Sequence, residues 1–136
     1  MKPKDISLQQ ELNLQINIAF AMNLSAGALV DFIGDNYIYD LDAFEQIIVQ
    51  LKWIAKQNKN IMANLAPIDE SVILPYGRSL ISSSERIQSQ IETLKITLTK
   101  SVLSHQHNSM TIEGKFYALH DSVQHFYETL KKANEN

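Results

Sequence analysis

Cysteine is absent from this 136-residue chain, and glycine and proline are scarce, with four and three copies. Without cysteine the chain has no disulfide framework, thiolate zinc site or thiol nucleophile. The scarcity of glycine and proline argues against a many-turned β-sandwich or barrel. A net charge of −3 excludes a basic field over the whole surface, of the kind that attracts nucleic acid. We expect one helical domain over residues 1–136.

The most apolar part of the chain, Ile16–Ile33, lies near the N-terminus. It is preceded by the polar run Gln9–Glu11, where a signal peptide would have its apolar core. Asn17, Asn23 and Asp31 interrupt it, whereas a membrane-spanning helix needs about 20 mostly apolar residues. We therefore expect a core helix in a cytoplasmic protein, with no membrane partner.

Apolar residues recur at steps of three and four in four segments, as they do on the buried faces of helices. In the last segment the stripe consists of Ile112, Phe116, Leu119, Val123, Phe126, Leu130 and Ala133. Leu12–Ile18 alternates with the period of a strand, but no partner strand is evident, so a helix is expected there too. The pattern predicts an all-α fold, an antiparallel four-helix up-down bundle with a long loop between helices 2 and 3.

The long loop is predicted over residues 66–82. Pro67 is expected to end helix 2, and Pro75-Tyr76-Gly77 is a cluster of helix breakers. Helix 3 is then expected to start at Ser82, where Glu85 completes a capping box. Long irregular connections are often functional, which makes Tyr76 and Arg78 candidate partner-contact residues.

An acidic, aromatic segment follows the first helix. Between Asp31 and Glu45 there are five acidic residues and no basic one, with four aromatic residues among them. Such a mixture is typical of a protein-binding surface, and its acidity would steer a basic partner. Alternatively, the acids stabilise the start of helix 2 and the aromatics close the bundle. The candidate partner-binding residues here are Asp35, Tyr37, Tyr39, Asp40 and Asp42, together with Trp53, which lies off the main stripe of helix 2. Trp53 would be an anchor if exposed; the favoured alternative is that it lies under lysine stems or against the long loop.

The histidines of the last third raise the question of metal and acid–base chemistry. Asp121, His125 and Glu128 share one helix face and have the donor types that bind zinc or iron. The apolar stripe of the same helix turns them outward, so we expect a solvated face, no metal and no other cofactor. His120 flanks that stripe beside Tyr117 and Tyr127 and is expected to be a boundary histidine that bonds a hydroxyl or a carbonyl, with a titratable cleft residue as the alternative.

Lys100 and His105 are separated by four residues and precede a short loop and a terminal helix. This arrangement resembles the HEPN nuclease and nucleotide-binding family, small helical bundles in which an Arg, four to six variable residues and a His lie near the start of the last helices. The Arg that the motif requires is absent, since Arg78 and Arg86 lie too far upstream, and Lys100 stands in its place. The resemblance implies an RNA-processing enzyme using Lys100, His105 and His107. The alternative is that these histidines stabilise the end of helix 3.

The favoured prediction is a noncatalytic protein of the inhibitor, immunity or antitoxin type. It would use the acidic aromatic surface to bind another protein that has a basic surface. A homodimer, a secretion chaperone or adaptor, and the HEPN-like enzyme are the alternatives. Nucleic acid is not the expected partner, because the chain carries a net negative charge.

Overall fold

The computed structural model describes residues 6–35, 41–68, 70–104 and 109–135. Within these ranges the chain forms four α-helices and no strand, which confirms the all-α prediction. The helices are α1 (Ile6–Asp35), α2 (Leu41–Leu65), α3 (Glu70–Ser104) and α4 (Ser109–Glu135). Leu12–Ile18 lies inside α1, so its strand-like alternation does not produce a strand.

One hydrophobic core lies between the four helices. The apolar stripe of each helix faces it, and Phe116 and Phe126 are its largest fully buried side chains. Burial contributes about 1.5–3 kcal/mol for each large apolar side chain. Because isolated helices are marginal in water, this burial stabilises the helices more than their intrinsic propensity does.

The helices contact one another in a ring. Among the described residues, α1 lies beside α2 and α4, α3 lies beside the same two helices, and the backbones of the two diagonal pairs do not approach closely. Along the α1–α4 interface, Asn134 Nδ2 donates to Asn13 Oδ1 at 3.0 Å. Further along, the rings of Phe20 and Tyr127 lie 5.6 Å apart between centroids. Residue numbers therefore rise along α1 as they fall along α4.

The prediction of a long loop between helices 2 and 3 is wrong. Helix α3 begins at Glu70 and not at Ser82, and it continues through Pro75. A short turn precedes it, in which Ile68 N donates to Leu65 O at 3.0 Å. Pro75 lies in the second helical turn, where its missing N–H removes one hydrogen bond of the ladder. Continuing the helix places Leu80 in the core, which offsets that loss.

Two of the seven buried polar residues in the described ranges have no exposed surface at all. Gln15 in α1 and Asn58 in α2 are both fully buried. Asn58 Nδ2 donates to the backbone oxygen of Ser84 in α3 at 3.0 Å. One turn away, Gln88 Nε2 donates to the backbone oxygen of Ala55 at 2.9 Å. These two hydrogen bonds connect α2 and α3 across their interface and fix its register.

Candidate functional site

One side of α2 points away from the core and combines acidic and apolar residues. Asp42, Glu45, Val49 and Trp53 follow one another at steps of three and four, and all four are exposed; we call them the α2 outer face. Val49 is 65% exposed and Trp53 is 39% exposed. The start of this face is a nearly flat, open surface to which Gln46 and Gln50 also contribute.

Charge is divided along α2. Asp42 lies in the first turn, where the positive end of the helix dipole favours an acidic side chain. Beyond Trp53 come the exposed Lys56 and Lys59, with Lys52 just before it. The apolar pair Val49 and Trp53 thus separates an acidic end from a basic end. A partner that covers this face would meet both signs of charge.

The other residues of the acidic segment either pack against the core or lie outside the described residues. Asp35 is the last residue of α1, and its side chain lies outside the described residues, as do Tyr37, Tyr39 and Asp40 in full. The flanking aromatics Phe32 and Phe44 are half-buried and pack against the core. Those two rings match the alternative interpretation, in which aromatic residues close the bundle.

Tyr76 and Arg78 do not join the α2 outer face. Both lie on α3; Tyr76 packs against the core and Arg78 is exposed. The hydrogen bond from Asn58 to Ser84 sets the level of α3 against α2. From that level, Tyr76 lies about 12 Å along α3 in one direction, and Trp53 about 7.5 Å along α2 in the other. The structure therefore places these predicted site residues about 20 Å apart along the bundle.

The histidines take part in helix packing. The His120 ring lies over Gly27 of α1, so it is a boundary histidine, although it faces a glycine and not a hydroxyl or a carbonyl. His125 Nε2 lies 3.3 Å from Ser79 Oγ, which joins α4 to α3 at the surface. Sequence reasoning missed this pair, because no spacing within one helix indicates which residue on another helix it meets. His105 and His107 are outside the described residues.

A metal site was not expected from the sequence. Asp121, His125 and Glu128 are exposed on α4, as the direction of the apolar stripe predicts. Within the described ranges, no three His, Cys, Asp or Glu side chains are grouped so that they could hold a metal ion.

Helix α1 is long and apolar. The most apolar 18-residue window of its stretch Ser7–Ile33 has a mean hydropathy of 1.6, and 28% of that window is buried; by length and composition alone the helix is sufficient to cross a membrane. The core helix of a bundle meets the same requirement. On one side of α1 the residues Leu12, Met22 and Leu29 are buried in the core, while Leu24 on the other side is exposed.

Comparisons with protein-family models, with curated proteins and with solved structures find no match to this chain. The geometry of the described residues is the remaining evidence for function. Among them, the α2 outer face brings a half-exposed tryptophan, an exposed valine and two carboxylates onto one surface. Tryptophan is enriched among the residues that contribute most to binding energy in protein interfaces.

Proposed function

We propose that this chain is a noncatalytic protein-binding helical bundle of the inhibitor, immunity or antitoxin type. Its partner, a protein with a basic surface, would contact the α2 outer face. The observation that carries the proposal is the exposure of Trp53 and Val49 beside Asp42 and Glu45. The ring would anchor the partner, and the carboxylates would steer a basic surface toward it.

The proposal includes an up-down bundle as the scaffold, with each helix antiparallel to its neighbours. In support, α1 and α4 are paired through Asn13 with Asn134 and Phe20 with Tyr127, with residue numbers running in opposite senses. The hydrogen bonds from Asn58 to Ser84 and from Gln88 to Ala55 likewise support opposite directions for α2 and α3. A helix held on both sides in this way presents its outer face with little rearrangement, which lowers the entropic cost of binding.

We place the protein in the cytoplasm, with α1 as a core helix and not as a membrane span. The lack of cysteine suits a reducing compartment. Removing α1 from the bundle would expose apolar side chains of the core that its own buried residues share with the other helices. Neither a metal nor another cofactor takes part in the proposed function.

Site-specific crosslinking in the native host tests the proposed surface. A photo-crosslinking amino acid at position 49 should capture one basic protein, and the same group at the exposed Ile96 of α3 should not. A captured species of twice the chain mass would instead indicate a homodimer. Equal capture at both positions would contradict a specific α2 surface.

The purified partner then allows the energetics to be measured. Trp53→Ala should weaken binding by about 30-fold or more, the loss typical of a central anchor. The double reversal Asp42→Lys with Glu45→Lys should mainly slow association and weaken its salt dependence. Tyr117→Ala is the matched control, because Tyr117 is an aromatic residue that is 56% exposed on α4, the helix diagonally opposite α2 in the described bundle. Unchanged affinity in both α2 variants would overturn the proposal.

Two assays distinguish the type of partner. If the partner is a toxin, co-expression of this chain should relieve the growth arrest that the partner causes. Binding without relief would favour the chaperone or adaptor alternative. Cleavage of RNA by the purified chain, lost in His105→Ala, would overturn the noncatalytic proposal in favour of the HEPN-like enzyme.

A further inference from the structure

One face of α1 points away from the core and is largely apolar. Its residues follow one another at steps of three and four and form what we call the α1 outer face: Leu14, Asn17, Ala21, Leu24 and Ala28. Leu14 is 51% exposed and Leu24 is 59% exposed. The ring of Phe20, at the edge of this face, is also exposed. Contiguous exposed apolar surface of this kind marks interaction sites.

The α1 outer face carries no charge. Residues 12–30 include no acidic residue, no basic residue and no histidine. The outward sides of the other helices are charged, with exposed residues such as Lys56 in α2, Arg86 in α3 and Asp121 in α4. Only 28% of the most apolar window of α1 is buried within the bundle. The folded chain therefore leaves the uncharged side of a strongly apolar helix exposed to solvent.

The charge of α1 as a whole argues against a bilayer surface as the partner of this face. Helices that lie on membranes are usually rich in lysine and arginine, which anionic lipids attract. Helix α1 has no basic residue, and its charged residues are the acidic Glu11, Asp31 and Asp35. A protein with a charged surface is disfavoured too, because its charges would lose water without meeting an opposite charge. The surface that covers the α1 outer face must itself be apolar and uncharged.

A second copy of the chain has such a surface. In a dimer with two-fold symmetry, both copies contribute the same patch, and residues near the axis face their own equivalents. A charge in that patch would therefore meet an identical charge. Because the α1 outer face has none, it is complementary to itself.

We propose that the chain forms a symmetric dimer through the α1 outer face, with the two-fold axis at Ala21 and the two α1 helices antiparallel. This arrangement places Leu14 opposite Ala28 of the partner subunit, a large side chain against a small one. Alanine at the axis allows the helices to approach to about 8 Å. Glu11 and Asp31 lie about 15 Å along the helix from the axis, where two crossing helices have diverged. The dimer does not rest on the proposed binding at the α2 outer face.

The size of the face predicts a weak dimer. From Leu14 to Ala28 it is about 21 Å long and one helix, about 10 Å, wide. Such a contact lies at the small end of protein interfaces, for which a dissociation constant of about 1–100 µM is expected. Sedimentation equilibrium of the native chain should therefore show a mass that rises with concentration from 15.5 kDa toward twice that value.

Two matched charge substitutions locate the interface. Leu24→Lys should weaken dimerisation by about tenfold or more, because it removes an apolar contact and places like charges beside the axis. Ile96→Lys is the control, since Ile96 is exposed to a similar degree on α3, and it should leave the dissociation constant unchanged. Circular dichroism should show native helix content in both variants.

The absence of cysteine from the native chain allows a direct test of the axis. The single cysteine of Ala21→Cys would face its equivalent at a Cα–Cα distance of about 4.4–6.8 Å, which a disulfide requires. Oxidised glutathione should therefore convert this variant into a covalent dimer. Ala63→Cys, at an exposed alanine of α2, should form such a dimer several-fold more slowly.

The proposal is overturned if the native chain remains monomeric up to about 300 µM. It is also overturned if Leu24→Lys dimerises as tightly as the native chain, or if the two cysteine variants oxidise at equal rates. Cosedimentation of the monomeric chain with phosphatidylcholine vesicles, lost in Leu24→Lys, would instead identify a bilayer as the partner of this face.

Discussion

Gly27 of α1 and His120 of α4 meet at the surface of the bundle, where the glycine leaves room for the imidazole ring. A Cβ atom added to Gly27 would lie 3.4 Å from both Cε1 and Nε2 of His120. This pair lies seven residues from the Phe20–Tyr127 pair on both helices, and that pair lies seven residues from Asn13–Asn134. The side of α1 that faces α4 is therefore matched to α4 pair by pair.

The contact predicts opposite effects for two substitutions of Gly27. Gly27→Ala should stabilise the chain by about 0.5–1 kcal/mol, because a methyl group fits at that distance and alanine favours the helix. Gly27→Leu should destabilise it by about 1–3 kcal/mol, because the larger side chain displaces the ring. Urea unfolding followed by circular dichroism measures both. Destabilisation by the alanine variant would show that the ring cannot adjust.

The aromatic contact between Phe20 and Tyr127 predicts a measurable coupling. Phe20→Leu, Tyr127→Leu and the double variant should form a cycle with a coupling energy of about 0.5–1.5 kcal/mol in unfolding free energy. Lys131 lies with its Nζ 5.3 Å from the centroid of the same tyrosine ring. Repeating the cycle in a Lys131→Met background controls for this cation. A coupling near zero would mean that the rings touch without contributing beyond burial.

Substitutions of Asn58 test whether the α2–α3 interface is more sensitive to the loss of a hydrogen bond or to a buried charge. Asn58→Leu should change the unfolding free energy by less than about 1 kcal/mol, because it removes one hydrogen bond and also the Oδ1 atom that has no partner. Asn58→Asp should cost about 3 kcal/mol or more at neutral pH, since it buries an unpaired charge. Chemical unfolding of both variants at pH 7 provides the comparison. Similar losses in the two variants would assign the effect to shape and not to charge.

Replacement of Pro75 in α3 is expected to stabilise the folded chain. Pro75→Ala should raise the free energy of unfolding by about 1 kcal/mol, because a ladder hydrogen bond is restored. The gain is limited because proline also restricts the unfolded chain. Thermal unfolding of this variant, with Pro67→Ala in the turn before α3 as control, measures the effect. A lower Tm for Pro75→Ala than for the native chain would contradict a continuous helix at this point.

Periodicity predicted most of the helices. Every residue of the predicted α4 stripe, from Ile112 to Ala133, is buried at its expected position. The start of α3 could not be predicted in this way. The cluster Pro75-Tyr76-Gly77 has low helix propensity, and only the packing of residues such as Leu80 against the other helices overrides it.

The candidate site was less predictable than the fold. The position of Trp53 off the apolar stripe favoured a ring covered by lysine stems or by the long loop over an exposed one, whereas the ring is 39% exposed. Its alignment with Asp42 follows from helix geometry. The separation of Tyr76 from Trp53 depends on the register between α2 and α3, which periodicity within one helix does not contain.

The three pairs between α1 and α4 differ in chemical type. One joins two side-chain amides, one joins two aromatic rings, and one places an imidazole ring over a glycine. If α4 slid by one heptad toward the C-terminal end of α1, Asn134 would face the phenyl ring of Phe20, and Tyr127 would crowd against Gly27. A uniform leucine seam would accept such a shift with little penalty. Here a shifted alignment would lose all three contacts at once. The sequence therefore disfavours any register of α1 against α4 other than the native one.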